Sequence, residues 1–180
     1  MSDSEGLPGR FAVSVLMERR LARSGPWSEY QWDCVEVLAG ENMQGEQTGC
    51  TMVSDDGERA RFVWSGLTIS LFKDGCESYW YNLQSDEPYL FVICFHDDVP
   101  EDDSMAITPV VVSPNQDEAN SHLESEDLVF SVPMPTPLID WLERFVVDNY
   151  EPFIKKKRKR RNWAEEGEAN EQNRRANKYH

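Results

Sequence analysis

The sequence predicts a β-rich α+β domain: a curled or sandwiched antiparallel sheet of about seven or eight short strands, capped by one C-terminal amphipathic helix. Three observations predict it. Short runs of aromatic and β-branched residues recur along the chain, each closed by Gly, Pro, Asp or Ser. The stretch Leu67-Thr68-Ile69-Ser70-Leu71 alternates with period two, as a half-buried strand does. Only one late segment changes to a period near 3.6. Strands first and a helix last give sheet and helix in separate layers, not a doubly wound α/β fold. A chain of 180 residues has room for one such domain with tails.

Residues 1–10 hold Gly6, Pro8 and Gly9 among small and acidic residues, and we expect a disordered leader there. The domain is expected over residues 11–154. Phe11 to Met17 reads as its first strand, with Val13 and Val15 on one face. Ser24-Gly25-Pro26 is a turn, Tyr30 to Leu38 the second strand, and Gly40 its end. Cys50 to Val53 closes at Asp55-Asp56-Gly57, Arg61 to Trp64 at Ser65-Gly66, and Leu67 to Phe72 at Asp74-Gly75. Tyr89 to Phe95 is apolar on both faces and should be the most buried strand. Ala106 to Val112 and Leu128 to Val132 complete the series, with Pro109 and Pro114 pushing the former toward an edge. Asp97 to Ser104 and Asn115 to Asp127 are acidic and polar, and read as long surface loops. The helix spans Pro137 to Tyr150. Thr136 is its N-cap, Asp140 lies in its first turn, and Pro152 stops it. Leu138, Trp141, Leu142, Phe145 and Val146 form its apolar stripe, the first four among the most buried side chains expected.

Charge is distributed unevenly. Residues 1–154 carry 29 Asp/Glu and eight Lys/Arg, a net of −21, whereas residues 155–180 carry four Glu and ten Lys/Arg, a net of +6. An acidic body repels phosphate, so any nucleic-acid contact is expected through the tail only. The N-terminus is acidic, and the longest fully apolar run is the seven residues Tyr89 to Phe95, against the roughly 20 that a spanning helix needs. Cys34, Cys50, Cys76 and Cys94 stand singly, with no Cys-x-x-Cys, which argues against a zinc ribbon or a redox pair. We expect a cytoplasmic protein with reduced thiols and no membrane contact.

Candidate chemistry is sparse. His96, flanked by Asp97 and Asp98, reads as a strand end running into an acidic loop, or else as a metal or His–Asp site. The Asp55-Asp56-Gly57 and Asp97–Asp103 clusters lack EF-hand spacing, and neither Gly-x-Ser-x-Gly nor His-Glu-x-x-His occurs. We therefore expect no catalytic residue, no metal and no cofactor. Arg19, Arg20 and Arg23 cluster beside Trp27, as an anion or partner patch or as counter-charges for nearby acids. Tyr79-Trp80-Tyr81, read as strand, should turn at least one ring outward, where aromatics anchor partners. The unbroken run Lys155, Lys156, Lys157, Arg158, Lys159, Arg160 and Arg161 can dock on an acidic partner, bind nucleic acid, or fold back on the acidic body. Beyond it, Asn162 to His180 is polar and expected to be disordered.

A series of motifs runs along the chain: Val13-Ser14-Val15-Leu16-Met17-Glu18-Arg19-Arg20, Ser24-Gly25-Pro26-Trp27, Trp32, Val37-Leu38-Ala39-Gly40, Leu67 to Phe72, Tyr81-Asn82-Leu83, Pro88 to Val92, Val132-Pro133-Met134-Pro135, and Pro152-Phe153 running into the basic cluster. Their order resembles a bacterial family classed as a domain of unknown function, whose genes commonly lie beside those of molybdenum-dependent formate dehydrogenases. Members often carry paired histidines before the Pro-Phe, where this chain has Asn149-Tyr150. Some are labelled as molybdopterin-guanine dinucleotide biosynthesis proteins. The residues oppose that label, because no Gly-rich phosphate loop follows the first strand and strands do not alternate with helices. The resemblance implies a non-catalytic accessory protein that assists assembly or maturation of a formate dehydrogenase, with a subunit of that enzyme as partner. Phe153 as apolar anchor and Lys155–Arg161 as electrostatic guide are the expected docking element. A nucleic-acid-associated or regulatory protein acting through the basic run is the alternative.

Overall fold

A computed structural model describes residues 9–40, 48–96 and 107–151. Seven strands form two antiparallel sheets. The first holds β1 (Arg10–Ser24), β2 (Trp27–Ala39), β3 (Gly49–Asp55) and β4 (Arg59–Ser70) in the order β2-β1-β4-β3. The second holds β5 (Tyr89–His96), β6 (Ile107–Ser113) and β7 (Leu128–Pro133) in the order β6-β5-β7. Three helices accompany them: α1 (Cys76–Leu83), entered by a 3-10 turn at Lys73–Gly75, α2 (Gln116–Glu124) and α3 (Thr136–Asn149).

The β1–β2 hairpin is longer than the local pattern predicts, because Glu18 to Ser24 continue in register with β2 as far as the pair Ser24↔Trp27. Gly25 opens its two-residue turn at φ +62, the sign that a type II′ turn requires at its first central position. The Ser65-Gly66 turn expected between two short strands is instead a bulge inside β4. Val13 and Val15 face Leu67 and Trp64, so β4 carries one extra residue there. Gly66 takes φ +80, and Thr48 lies so close that a Cβ on Gly66 would sit 2.6 Å from its Cα.

The core lies between the sheets. Val13, Val15, Met17, Phe62 and Trp64 of the first sheet form one buried cluster with Leu90, Val92 and Cys94 of the second. β5 is the middle strand of its sheet, with Val92, Ile93 and Cys94 fully buried, as its unbroken apolar run predicts. β6 is an edge strand, as Pro109 within it requires. Helix α3 closes one end, where Leu138, Trp141 and Leu142 meet Ile69, Leu90 and Met134. Leu138 and Leu142 are fully buried, while Trp141 and Phe145 are half-buried against Phe11 and Tyr79 at ring distances of 5.2 and 6.4 Å. Pro135, not Thr136, occupies the N-cap, and no acidic residue falls in the first turn.

Two segments differ in kind from the sequence expectation, giving three helices in place of one. Tyr79-Trp80-Tyr81 lies on α1, not on a strand, because Cys76, Tyr79 and Leu83 recur at helical spacing toward the core. Residues 116–124, expected within a long loop, form α2. The Asn115 side chain caps it by accepting from the Asp117 and Glu118 N–H groups, both acids suit the first turn, and Ala119 alone is buried.

Candidate partner-docking surfaces

The β1–β2 hairpin carries the arginines and tryptophan singled out in the sequence. Strand alternation places Arg19 and Arg23 on one face and Arg20 on the other. Arg19 is half-buried, its guanidinium 4.5 Å from the Tyr30 ring centre and 5.5 Å from that of Phe62. Arg20 lies 3.5 Å from Glu18 and 3.9 Å from Asp33, and Arg23 lies 3.7 Å from Glu58. Trp27, beyond the turn, is 79% exposed. The three guanidinium groups thus do not converge on one anion pocket. The nearly buried Glu18 is the more demanding group: Arg61 Nε donates to it at 2.9 Å, and Arg20 supplies the second cation.

A groove of about 510 Å³ opens between the sheets, lined by Tyr30, Trp32, His96, Ile107, Leu128 and Phe130. His96 is exposed at its rim. The Trp32 indole packs at a tilt on Phe62 and edge-on to Trp64, with ring centres 5.5 and 6.0 Å away, and its buried Nε1–H lacks an acceptor.

The other histidine of the described residues is structural. His122 Nδ1 lies 2.8 Å from Asp127 Oδ2, and its ring packs 6.3 Å from Phe95. Asp55 and Asp56 spend their carboxylates on the turn they open. Asp55 accepts from Gly57 N–H, and Asp56 from Glu58 and Arg59 N–H, which holds the Asp56 carboxyl below the usual range. No cluster of three or more potential metal ligands occurs among the described residues. All four cysteines are free thiols, Cys50 alone being exposed. Desolvation first, with neighbouring charge second at Cys34, pushes Cys34 and Cys94 up to about 12. Among the described residues no helix is long and apolar enough to cross a membrane.

The third surface lies on α1 and the end of α3. Glu77, Trp80, Tyr81 and Gln84, at i, i+3, i+4 and i+7, form one exposed stripe along α1. The Trp80 ring lies 5.1 Å from Tyr81 and 6.0 Å from Tyr150, so three rings form a continuous surface. Phe72, just before the helix, is 63% exposed. The helix is held from behind. Tyr79 is buried and its hydroxyl accepts from Phe72 N–H at 3.3 Å. Asn82 bridges three elements: its amide donates to the carbonyls of Tyr89 and Pro114, and its carbonyl accepts from Tyr89 N–H. Sequence reasoning anticipated an outward ring here but placed it on a strand. The alternation of a core stripe (Cys76, Tyr79, Leu83) with an outer one (Glu77, Trp80, Tyr81, Gln84) is the signal that identifies the helix. Phe153 and Lys155–Arg161, the expected docking element, lie outside the described residues, as does the Asp97–Ser104 loop.

No curated protein and no solved structure matches the chain. One family model does, over residues 12–161, from the first strand through the last residue of the basic run. The match takes in all but the first two residues of β1, every later element and most of the chain, and so the protein belongs to the family described as protein of unknown function DUF3305.

Proposed function

We propose that the protein is an accessory protein that works by docking, without catalysis, and assists assembly or maturation of a molybdenum-dependent formate dehydrogenase. The observation that carries the docking part is the pair of exposed rings Trp80 and Tyr81, held outward on a helix anchored by Tyr79 and Asn82 and continued by the half-buried Tyr150 ring. Rigid exposed aromatics give large contact area at little entropic cost, which is why they anchor interfaces. Support for the non-catalytic part is that several titratable side chains have structural work here: His122 holds Asp127, Asp56 holds its turn, and Glu18 holds two arginines. The identity of the enzyme rests on the resemblance of the motif series, and Phe153 with Lys155–Arg161 is the second contact proposed.

The test is capture with the tagged full-length chain in cells that express a molybdenum formate dehydrogenase, with its subunits quantified. Enrichment of a subunit that falls when Trp80 and Tyr81 are both changed to Ser supports the reading. Full formate dehydrogenase activity in cells lacking the protein overturns it. Recovery of nucleic acid, with binding that falls along a log–log salt slope near −0.9 per neutralised phosphate, replaces it with the tail-mediated alternative.

A further inference from the structure

We infer that the aromatic face of α1 and α3 receives a Lys/Arg-rich segment of the partner protein. The inference rests on the docking function proposed above and narrows it to a partner chemistry.

Charge and ring geometry carry it together. Among the described residues, Gly9 to Phe72 hold seven Asp/Glu and six Lys/Arg, whereas Lys73 to Glu151 hold thirteen Asp/Glu and only Lys73 and Arg144. The pairing follows the same division. Every described ion pair to an arginine (Glu18, Asp33 and Glu58 as acids) lies on the four-stranded sheet, and the remaining pair is His122–Asp127. The half that bears α1 and α3 therefore presents its carboxylates without arginine partners of its own. Glu77 stands in the same exposed stripe as Trp80 and Tyr81, and Asp74 and Glu87 flank the helix ends. The Tyr150 phenol is pushed up by desolvation first and by the Glu77 carboxylate next.

A ring face among carboxylates selects cations twice over. The quadrupole of Trp or Tyr attracts a guanidinium or ammonium within about 6 Å of its centre, and a nearby carboxylate adds a hydrogen-bond acceptor. The chain shows the arrangement where it supplies the cation itself, with Arg19 over Tyr30 at 4.5 Å. Among the described residues Arg19 makes both cation–ring contacts, and the Trp80, Tyr81 and Tyr150 rings have none. An acidic segment would be repelled by Glu77 and by the net negative charge of residues 73–151, and a purely apolar one would leave Glu77 to be desolvated alone.

The test uses the full-length chain and a fluorescein-labelled ten-residue peptide of alternating Arg and Ala, with alternating Glu and Ala as control. Anisotropy should rise with the Arg peptide and not with the Glu peptide. Two lost cation–ring contacts should weaken binding about tenfold in Trp80→Ser/Tyr81→Ser, with the melting temperature unchanged. Should that variant melt early, Glu77→Lys tests the same face with its rings intact, and a similar weakening is expected. Undiminished binding in a folded double variant and in Glu77→Lys overturns the inference, since the acidic body then attracts cations without the rings. Binding that appears only when Lys155–Arg161 are neutralised makes the chain's own basic run the occupant. A dimer dissolved by the double substitution makes it a second copy. Either result overturns the partner assignment. No formate dehydrogenase enters this assay, so an error in the enzyme's identity and an error in the peptide chemistry give different results.

Discussion

Gly75→Ala should destabilise the protein through one contact. Gly75 is buried and adopts φ −81 and ψ −8, ordinary helical values, so alanine carries no backbone strain. By unfolded-state entropy alone the change would stabilise by about 0.4–1 kcal/mol. The obstacle is Tyr79. A Cβ at position 75 would sit 2.5 Å from the Tyr79 hydroxyl oxygen and 2.6 Å from its Cζ. Ordinary contact needs about 3.4 Å or more, so the ring must retreat by about 0.8 Å. Tyr79 is 2% exposed and packs on Phe145, which leaves little room. Overpacking of this kind costs about 1–3 kcal/mol, and losing the Phe72 N–H bond adds about 1 kcal/mol. The net expectation is a loss of about 1–3 kcal/mol in urea unfolding at unchanged m-value. A double-mutant cycle isolates the cause. In a Tyr79→Leu background the Gly75→Ala step should become neutral or mildly stabilising. Equal destabilisation in both backgrounds refutes the argument, as does a neutral single variant.

Four further outcomes follow from the structure. Asn82→Ala removes an amide that joins α1 to β5 and to Pro114, leaving the Tyr89 N–H and two carbonyls to find other partners. A loss of about 2–3 kcal/mol is expected by chemical denaturation, with faster amide exchange at Tyr89. Arg61→Ala takes the nearer cation from the nearly buried Glu18, and since Arg61 is itself half exposed the cost should be about 1–2 kcal/mol, recovered in part by Glu18→Gln in the same chain. In native protein at pH 8 an alkylating reagent should label Cys50 first. Cys34 and Cys94, pushed up to about 12, hold only about one thiolate in ten thousand, as mass spectrometry of the labelled chain can check. Their folded pKa lies above the unfolded value, so the native state retains protons that the unfolded chain loses. Stability should therefore fall as pH rises from about 9 toward 12.

Much of the architecture was legible because burial imposes period. β5 is apolar from Tyr89 to Phe95 and is covered on both faces at its centre, Val92 to Cys94, and α3 carries its stripe because one side meets the sheets. The misread parts are those where local composition and tertiary context pull apart. Tyr79-Trp80-Tyr81 has the composition of a strand, yet Tyr79 alone turns inward. Helix α2 buries only Ala119, so its apolar signal is one residue deep, although Asn115 and the acids after it spelled a helix start. The outer half of β1 is charged and is a strand only because β2 and β4 pair with it. For the docking surface, the outward ring was legible from the aromatic run. Its union with Tyr150, some seventy residues later in the chain, depends on α1 packing on α3 and leaves no local trace.

The division of charge also fixes how each half can be used. Glu18 is nearly buried, and a carboxylate out of water must be paired, so Arg61 and Arg20 are spent on it, while Arg20 also reaches the exposed Asp33 and Arg23 the exposed Glu58. The carboxylates around α1 and α3 are solvated, and an exposed charge needs no partner to be stable. Their mutual repulsion is weak beyond about 8 Å at physiological salt, so the fold tolerates them. A cation brought against Trp80 and Glu77 gains from both ring and carboxylate, whereas an arginine of the sheet would have to leave its own acid first. Complementary charge therefore acts on the helical face as a guide to association, and the rings fix where the guided segment stops.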